Sequence, residues 1–294
     1  MKIAIYQMLI KDNMKDNFEK MKKAIITAAE KDVELIVFPE CCLTGYLGIT
    51  LKSINDVKMD EVCSYLKKIA SLAKEQKIAV VTGQYIIRCG KWYNNLIFID
   101  DEGICLTSYD KNHLIDEDCY YIAPGTIPKV FEYKNIKFML GICHDIRYAE
   151  HTMWGCDNGV QVYINAFYGI RGAIGCSKFQ NEYNAILKTR AIENGIYILA
   201  PNVANDEQMV RSQVLNPQGD MISVAKEYGE EILICDLDHK LSGNGWGKRR
   251  RRDLYLLKAN SPLQNFFESG YWDTKPTNTV HDRRWLKNDN IHEI

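Results

Sequence analysis

One order of strands and helices occurs twice along this chain. "KIAIYQ", a helical segment, "ELIVFPE", a second helical segment and "IAVVTGQY" are followed later by "IKFMLGIC", a helical segment, "VQVYINA", another and "IYILAPN". The strand candidates are short, β-branched and widely spaced, and "NNLIFID", "ICLTSYD" and "EILICDL" join them. Met14, Phe18, Met21, Ile25 and Ala28 recur at helical spacing before "ELIVFPE". Val62, Leu66, Ile69 and Ala73 do the same before "IAVVTGQY". Residues 177–194 read as a further helix, stopped at Gly195. Strands alternating with helices predict an α/β fold. The repeat, one of pattern and not of residue identity, predicts two similar halves. Each would cover one sheet face with helices and the other with its partner sheet. No Ser/Gly/Pro-rich linker separates them, so one domain is expected.

The bulk properties exclude several classes of partner. A net charge of -1 over 294 residues argues against a general polyanion binder, so no nucleic acid is expected. The run Arg249 to Arg252 reads as a solvated surface stretch. No segment approaches the ~20 apolar residues that span a bilayer. The apolar run at the N-terminus is too brief for a signal peptide. A soluble, cytoplasmic protein without a membrane partner is expected. The ten cysteines are scattered, and Cys105 and Cys235 lie in apolar runs. Most read as small buried hydrophobes in a reducing compartment. Cys143, His144, His151 and Cys156 lie close together, but not at the spacing of a zinc finger or a two-histidine helical site. Neither metal nor cofactor is expected.

Cys143 stands where a buried strand ends and a helix-compatible segment begins. Such a junction exposes a thiol at the carboxyl edge of the sheet, where open α/β sheets bind ligands. It also predicts a nearby helix N-terminus, whose partial positive charge favours thiolate. A nucleophilic cysteine needs a base and a group that stabilises an oxyanion. Two other strand ends offer them. Glu40 follows an apolar run and a proline in "ELIVFPE", and "LTSYDKNHL" delivers Lys111 and His113. A solvated loop glutamate and a surface lysine are the plainer readings of the same positions.

"FPE" with "LTGY" close behind, then "YDKNHL", then "GICHDIRYAE" resemble, in order, the signature regions of the nitrilase (carbon-nitrogen hydrolase) superfamily. "VYINAF", "LKTRAIENGIYILAPN", "VLNPQGD" and "RRDLY" extend the resemblance, which covers residues 1–255 and leaves 256–294 as a C-terminal tail. The tail has little periodicity but holds "FF", "YW" and "RRW", and is expected to pack on a neighbouring subunit of a homodimer or larger homo-oligomer. The resemblance implies a four-layer αββα sandwich, in agreement with the two halves. It implies Cys143 as nucleophile, Glu40 as general base and Lys111 as the cation beside the tetrahedral intermediate. The His144 backbone N–H would be a second oxyanion donor. Many members carry a second glutamate before a "PG" turn, which orients the lysine. In "DEDCYYIAPG" either Asp118, by spacing, or Glu117 takes that place.

Nitrile-cleaving members usually show Cys-Trp-Glu, and amide-cleaving members more often Cys-Tyr-Asp. Cys-His-Asp therefore resembles the amide or carbamoyl branch. The implied reaction is cleavage of a small linear amide or carbamoyl compound through an acyl-cysteine, with release of ammonia or an amine. Nitrile hydrolysis, acyl transfer and a non-catalytic scaffold are the alternatives. His144 either tunes the thiol, contacts substrate or hydrogen-bonds away from the site. Asp145, Arg147 and Glu150 read as structural ion pairs, since a helix displays them at turning angles. Loops around the triad would set substrate choice. Tyr46, His113, Asn165, Phe167 and Tyr168 are the candidates there, with Arg171 as a clamp for a carboxylate.

Overall fold

Alternation along the first strand sets the layers above and below it. In the computed structural model, which describes residues 1–115, 118–170, 172–243 and 245–250, leaving out the side chains of 172–178 and 248, strand β1 (Lys2–Gln7) turns Ile3 and Ile5 to one core and Ala4 and Tyr6 to another. A strand buried on both faces reads as a continuous apolar run. Helix α1 (Met14–Ala29) starts at Asn13, whose side chain accepts the Asp16 N–H at 2.8 Å. It buries the stripe Phe18, Met21, Ile25 and Ala28. Strand β2 (Leu35–Val37), helix α2 (Met59–Gln76) and strands β3 (Ala79–Arg88), β4 (Lys91–Ile99) and β5 (Cys105–Asp110) complete the first half.

The second half opens with β6 (Val130–Tyr133) and β7 (Ile136–Ile142), joined by Lys134 and Asn135 at φ 49° and 61°. Two positive φ values fit the turn that matches the twist of a hairpin. Helix α3 (Ala149–Asp157), β8 (Val162–Ala166), α4 (Gly172–Asn194), β9 (Tyr197–Ala200), β10 (Gln213–Leu215), β11 (Met221–Val224) and β12 (Glu231–Asp236) follow.

The two sheets run β12-β1-β2-β3-β4-β5 and β11-β10-β9-β8-β7-β6. Parallel trios, β1-β2-β3 and β7-β8-β9, form their centres. Each trio gains two antiparallel strands on one side, β4 and β5 or β10 and β11. On the other side it gains one, β12 or β6. The halves correspond strand for strand, with one difference of connection: β6 precedes its trio, whereas β12 returns from far along the chain to close the first sheet.

Ile3, Ile5, Leu35, Val37 and Phe98 meet Phe138, Leu140, Ile142 and Ile164 in the core between the sheets. The far face of the first sheet packs Ala4, Ile36 and Val80 against Met21, Ile25, Val62 and Ile69 of α1 and α2. The far face of the second packs Met139, Tyr163 and Ile198 against Tyr183, Leu187 and Ala191 of α4. The result is the expected four-layer αββα sandwich. Residues Met1–Arg249 form one compact unit. The expected role of 256–294 falls outside the described residues.

Three readings change. Helix α4 begins at Gly172, not at 177, so tertiary context overrides the weak helix propensity of its glycines. The segment after β7 is a 3-10 turn, Cys143–Arg147, and α3 starts only at Ala149. Among the described cysteines, Cys41 and Cys42 are buried, but Cys63, Cys89, Cys105 and Cys119 are exposed. Cys105 opens β5, an edge strand, where an apolar run does not secure burial. No helix among the described residues is long and apolar enough to cross a membrane.

Candidate active site

Three strand ends converge. Beyond β2 the chain passes through Phe38 and Pro39 to Glu40, which is fully buried. Gly83 of β3 lies against this elbow: a Cβ there would stand 2.6 Å from the Cys41 nitrogen and 2.8 Å from the Pro39 oxygen. The Glu40 Oε1 accepts Asn94 Nδ2 at 2.6 Å and Lys111 Nζ at 3.3 Å, and Oε2 accepts the Tyr168 backbone N–H at 2.7 Å. Lys111 follows β5 directly and is 1% exposed. Its Nζ also donates to Asp118 Oδ2 at 2.6 Å, and the Tyr46 hydroxyl donates to Asp118 Oδ1 at 3.3 Å. One ammonium thus lies between two buried carboxylates. Burial pushes Glu40 above the ordinary carboxylate range; Asp118 adds to this, and Lys111, the Tyr168 N–H and Asn94 oppose it. Burial works against the Lys111 charge, but the acidic groups around it raise its pKa well above the usual value.

Cys143 follows β7 at φ 44°, a left-handed conformation that costs an L residue energy. The turn is held on both sides: Ile142 N donates to Asp145 Oδ2 at 2.9 Å, and Asn165 Nδ2 donates to the Cys143 carbonyl at 3.2 Å. The half-buried thiol shares its electrostatic surroundings with Glu40, Lys111 and Asp118. Burial raises its pKa most, the Glu40 charge raises it further, and Lys111 offsets only part. The expectation of a helix-stabilised thiolate is therefore corrected. No α-helix starts at Cys143, and burial with the Glu40 charge works against a thiolate there.

Lys111 pairs with Asp118; Glu117 lies outside the described residues, as does Arg171. Tyr46 and Tyr168 stack with centroids 4.6 Å apart. With Asp118 they line a cavity of about 570 Å³, shared with Leu47, Ile49, Lys52, Ile54, Ile115, Tyr121 and Ile170. The other candidates for substrate contact sit elsewhere. Phe167 is fully buried in the core beneath α4, and only its backbone carbonyl reaches the site, accepting Glu40 N at 3.3 Å. Asn165 is spent on Cys143 and on the Tyr163 hydroxyl, 2.8 Å away. The His113 ring lies 2.8 Å from Asp145 Oδ1 and stacks on Tyr148. His144 Nε2 lies 3.4 Å from the Tyr148 hydroxyl, and burial, then the Arg147 charge, lowers its pKa.

The expected ion pairs take other forms. Asp145 collects its donors from His113, Tyr109 and Ile142. Arg147 packs over the Tyr183 ring, and Glu150 is exposed. His113, Asp145 and His151 bring ligand-type atoms within 4.8 Å of one another. Each Asp145 oxygen already accepts two hydrogen bonds, which an ion would have to displace. The cluster therefore fits a hydrogen-bonded network better than a metal site.

Sequence reasoning missed Asn94 and Tyr109. Asn94 carried a signal, since "WYNNLIF" puts two amides in the middle of an apolar strand. Buried amides need partners, and Asn94 finds Glu40 on one face while Asn95 donates to Tyr109 O and Asp110 on the other.

Comparison with known proteins agrees with this fold. The family model described as carbon-nitrogen hydrolase matches residues 2–244. The chain is 27% identical over 278 residues to omega-amidase NIT2-A of Xenopus laevis, across 87% of this chain and 97% of that one. It is 26% identical over 251 residues to omega-amidase NIT3 of Saccharomyces cerevisiae, across 77% of this chain and 84% of that one. The solved amidase of Nesterenkonia sp. AN1 shares the fold, with a TM-score of 0.76 at 22% identity over 87% of this chain and 98% of that one. A cysteine-to-alanine mutant of that amidase, solved in complex with butyramide, gives 0.75 at 21% identity, over 87% of this chain and 95% of that one. By its match over most of its length, this chain belongs to the carbon-nitrogen hydrolase family, within the nitrilase superfamily.

Proposed function

We propose that the protein hydrolyses the C–N bond of a small linear amide through an acyl-cysteine, with Cys143 as nucleophile, Glu40 as proton carrier and Lys111 as oxyanion partner. The observation that carries this reading is the buried Glu40–Lys111–Asp118 array placed within electrostatic reach of one thiol. Glu40 takes the thiol proton as sulfur attacks the amide carbon. The oxygen gains charge near the Lys111 ammonium and the His144 backbone N–H. Glu40 returns the proton to the departing nitrogen, and ammonia or an amine leaves. Water then loses a proton to Glu40 as it attacks the thioester, the acid departs, and sulfur regains its proton. A carboxyl raised toward neutrality suits a group that must both accept and donate.

The cavity favours a short aliphatic acyl chain, through Leu47, Ile49, Ile54, Ile115 and Ile170. Lys52 is the one cation among its described lining residues. Together with the omega-amidase relatives, it supports substrates that carry a carboxylate at the end remote from the amide. Lys52→Met should raise KM roughly threefold for glutaramate and leave butyramide unchanged; equal effects on both would remove Lys52 from substrate recognition. We read the enzyme as cytosolic, in keeping with the free thiols of the described cysteines, and as a homodimer or larger homo-oligomer, which light scattering tests. The deciding experiment is intact mass spectrometry after incubation with small amides, ureido acids and nitriles. An acyl adduct on Cys143, with matching ammonia release from amides, is expected. Folded protein that forms no adduct and shows no turnover on any of them would refute the reading.

A further inference from the structure

One carboxylate outside the catalytic array holds both of the segments that carry it. Asp145 is fully buried. Its Oδ1 accepts the His113 backbone N–H at 2.9 Å and His113 Nδ1 at 2.8 Å. Its Oδ2 accepts the Tyr109 hydroxyl at 2.6 Å and the Ile142 N–H at 2.9 Å. Tyr109 and His113 stand two residues before and two residues after Lys111, and Ile142 directly precedes Cys143. Tyr109 belongs to the first sheet and Ile142 to the second. One rigid group therefore ties the chain of the ammonium to the chain of the sulfur across the core of the sandwich. Cys143 needs such a hold, because its left-handed backbone is not one an L residue keeps unaided. Burial opposes a charge on Asp145, but its donors keep its pKa below the ordinary value, so the tie is an anion with all four acceptor positions used.

We propose that Asp145 is a positioning residue that sets where the Cys143 sulfur stands relative to the Lys111 ammonium. It touches neither substrate nor reacting atoms. The inference rests on the roles assigned above to Cys143 and Lys111.

Asp145→Asn keeps the shape but turns one acceptor into a donor facing donors. Two rates test it: amide hydrolysis in the steady state, and alkylation of Cys143 by acrylamide between pH 5 and 10, followed by intact mass. Misplacing a nucleophile by about 1 Å costs on the order of 100-fold. A loss of that order in kcat and in alkylation is expected, with KM within about threefold and a displaced pH profile of alkylation. The displacement follows because the Glu40 and Lys111 distances set the affinity of sulfur for its proton. Tyr109→Phe removes one donor and keeps the charge; a loss of roughly tenfold in kcat at unchanged KM is expected, and this variant decides the matter if Asp145→Asn does not fold. Folded Asp145→Asn with the wild-type alkylation profile, or Tyr109→Phe with the wild-type kcat, would overturn the proposal. A fall in melting temperature with an unmoved pH profile would also overturn it. Alkylation of Cys143→Ser at the wild-type rate would be a different failure, that of the nucleophile assignment itself.

Discussion

Cys143 and Glu40 share one proton problem. Burial raises both groups, and the Glu40 charge raises Cys143 further. Replacing Glu40 by Gln should therefore have two effects of opposite appearance. Turnover falls by at least about 1000-fold, because the proton carrier is gone. The pH midpoint of Cys143 alkylation moves down, because one negative neighbour is removed while Lys111 stays. A midpoint that moves up would show that Glu40 acts on the thiol in some way other than through its charge. The Lys111–Asp118–Glu40 array is not a device for stability. Taking charges out of water costs several kcal/mol per ion, and the arrangement fits the preorganised site proposed above.

The elements aim these residues. Glu40 and Cys143 lie beyond the carboxyl ends of the parallel strands β2 and β7, corresponding strands' neighbours in the two halves, and Lys111 lies beyond β5. Gly141 shows how tightly β7 is fitted there. A Cβ at this position would overlap the Tyr163 hydroxyl, which is hydrogen-bonded to Asn165, which in turn holds the Cys143 carbonyl. Gly141→Ala should cost about 1–3 kcal/mol by overpacking and should lower kcat more than the lost stability explains at a temperature where the protein is fully folded. Urea titration and kcat measured side by side check this. Unchanged kcat would mean that Asn165 does not transmit the shift. The strands themselves were legible, since runs such as "KIAIYQ" and "IKFMLGIC" are apolar on both faces and bounded by polar residues. The 3-10 turn after Cys143 was not, because "HDIRYAE" is as compatible with a helix as with a tight turn, and only contacts from Asp145 and Asn165 select the latter.

Across the whole molecule, buried phenols and thiols give stability a definite dependence on pH. Burial pushes Tyr168 and Tyr183 up to about 12 and Cys42 to about 11. In the unfolded chain such groups ionise near 8.5 to 10. Between those values the folded state holds more protons, so stability falls as pH rises. The contribution is complete below the unfolded values and is lost progressively as pH rises through the folded ones. His144 and His151 act at the other end. Burial lowers both, so the unfolded chain binds protons first as pH falls below about 6.5, and stability declines. Denaturation midpoints should peak between about pH 7 and 9; a midpoint still rising at pH 10.5 would contradict this account.

Local order was written in the chain itself. Apolar periodicity determined which segments are strands and which are helices, and its repetition determined that there are two matching halves, because a double-sided apolar strand has no stable place except between two covering layers. Glu40, Lys111 and Cys143, the residues proposed to react, were legible as polar groups set at the ends of apolar runs. Tertiary structure alone decided that Asp118 pairs with Lys111, that Phe167 faces the core and that Asn94 and Tyr109 join the site. It also decided that burial and the Glu40 charge work against a thiolate at Cys143. These depend on distances between groups remote in the chain and on the loss of water around them, and neither quantity exists until the two sheets have closed on each other.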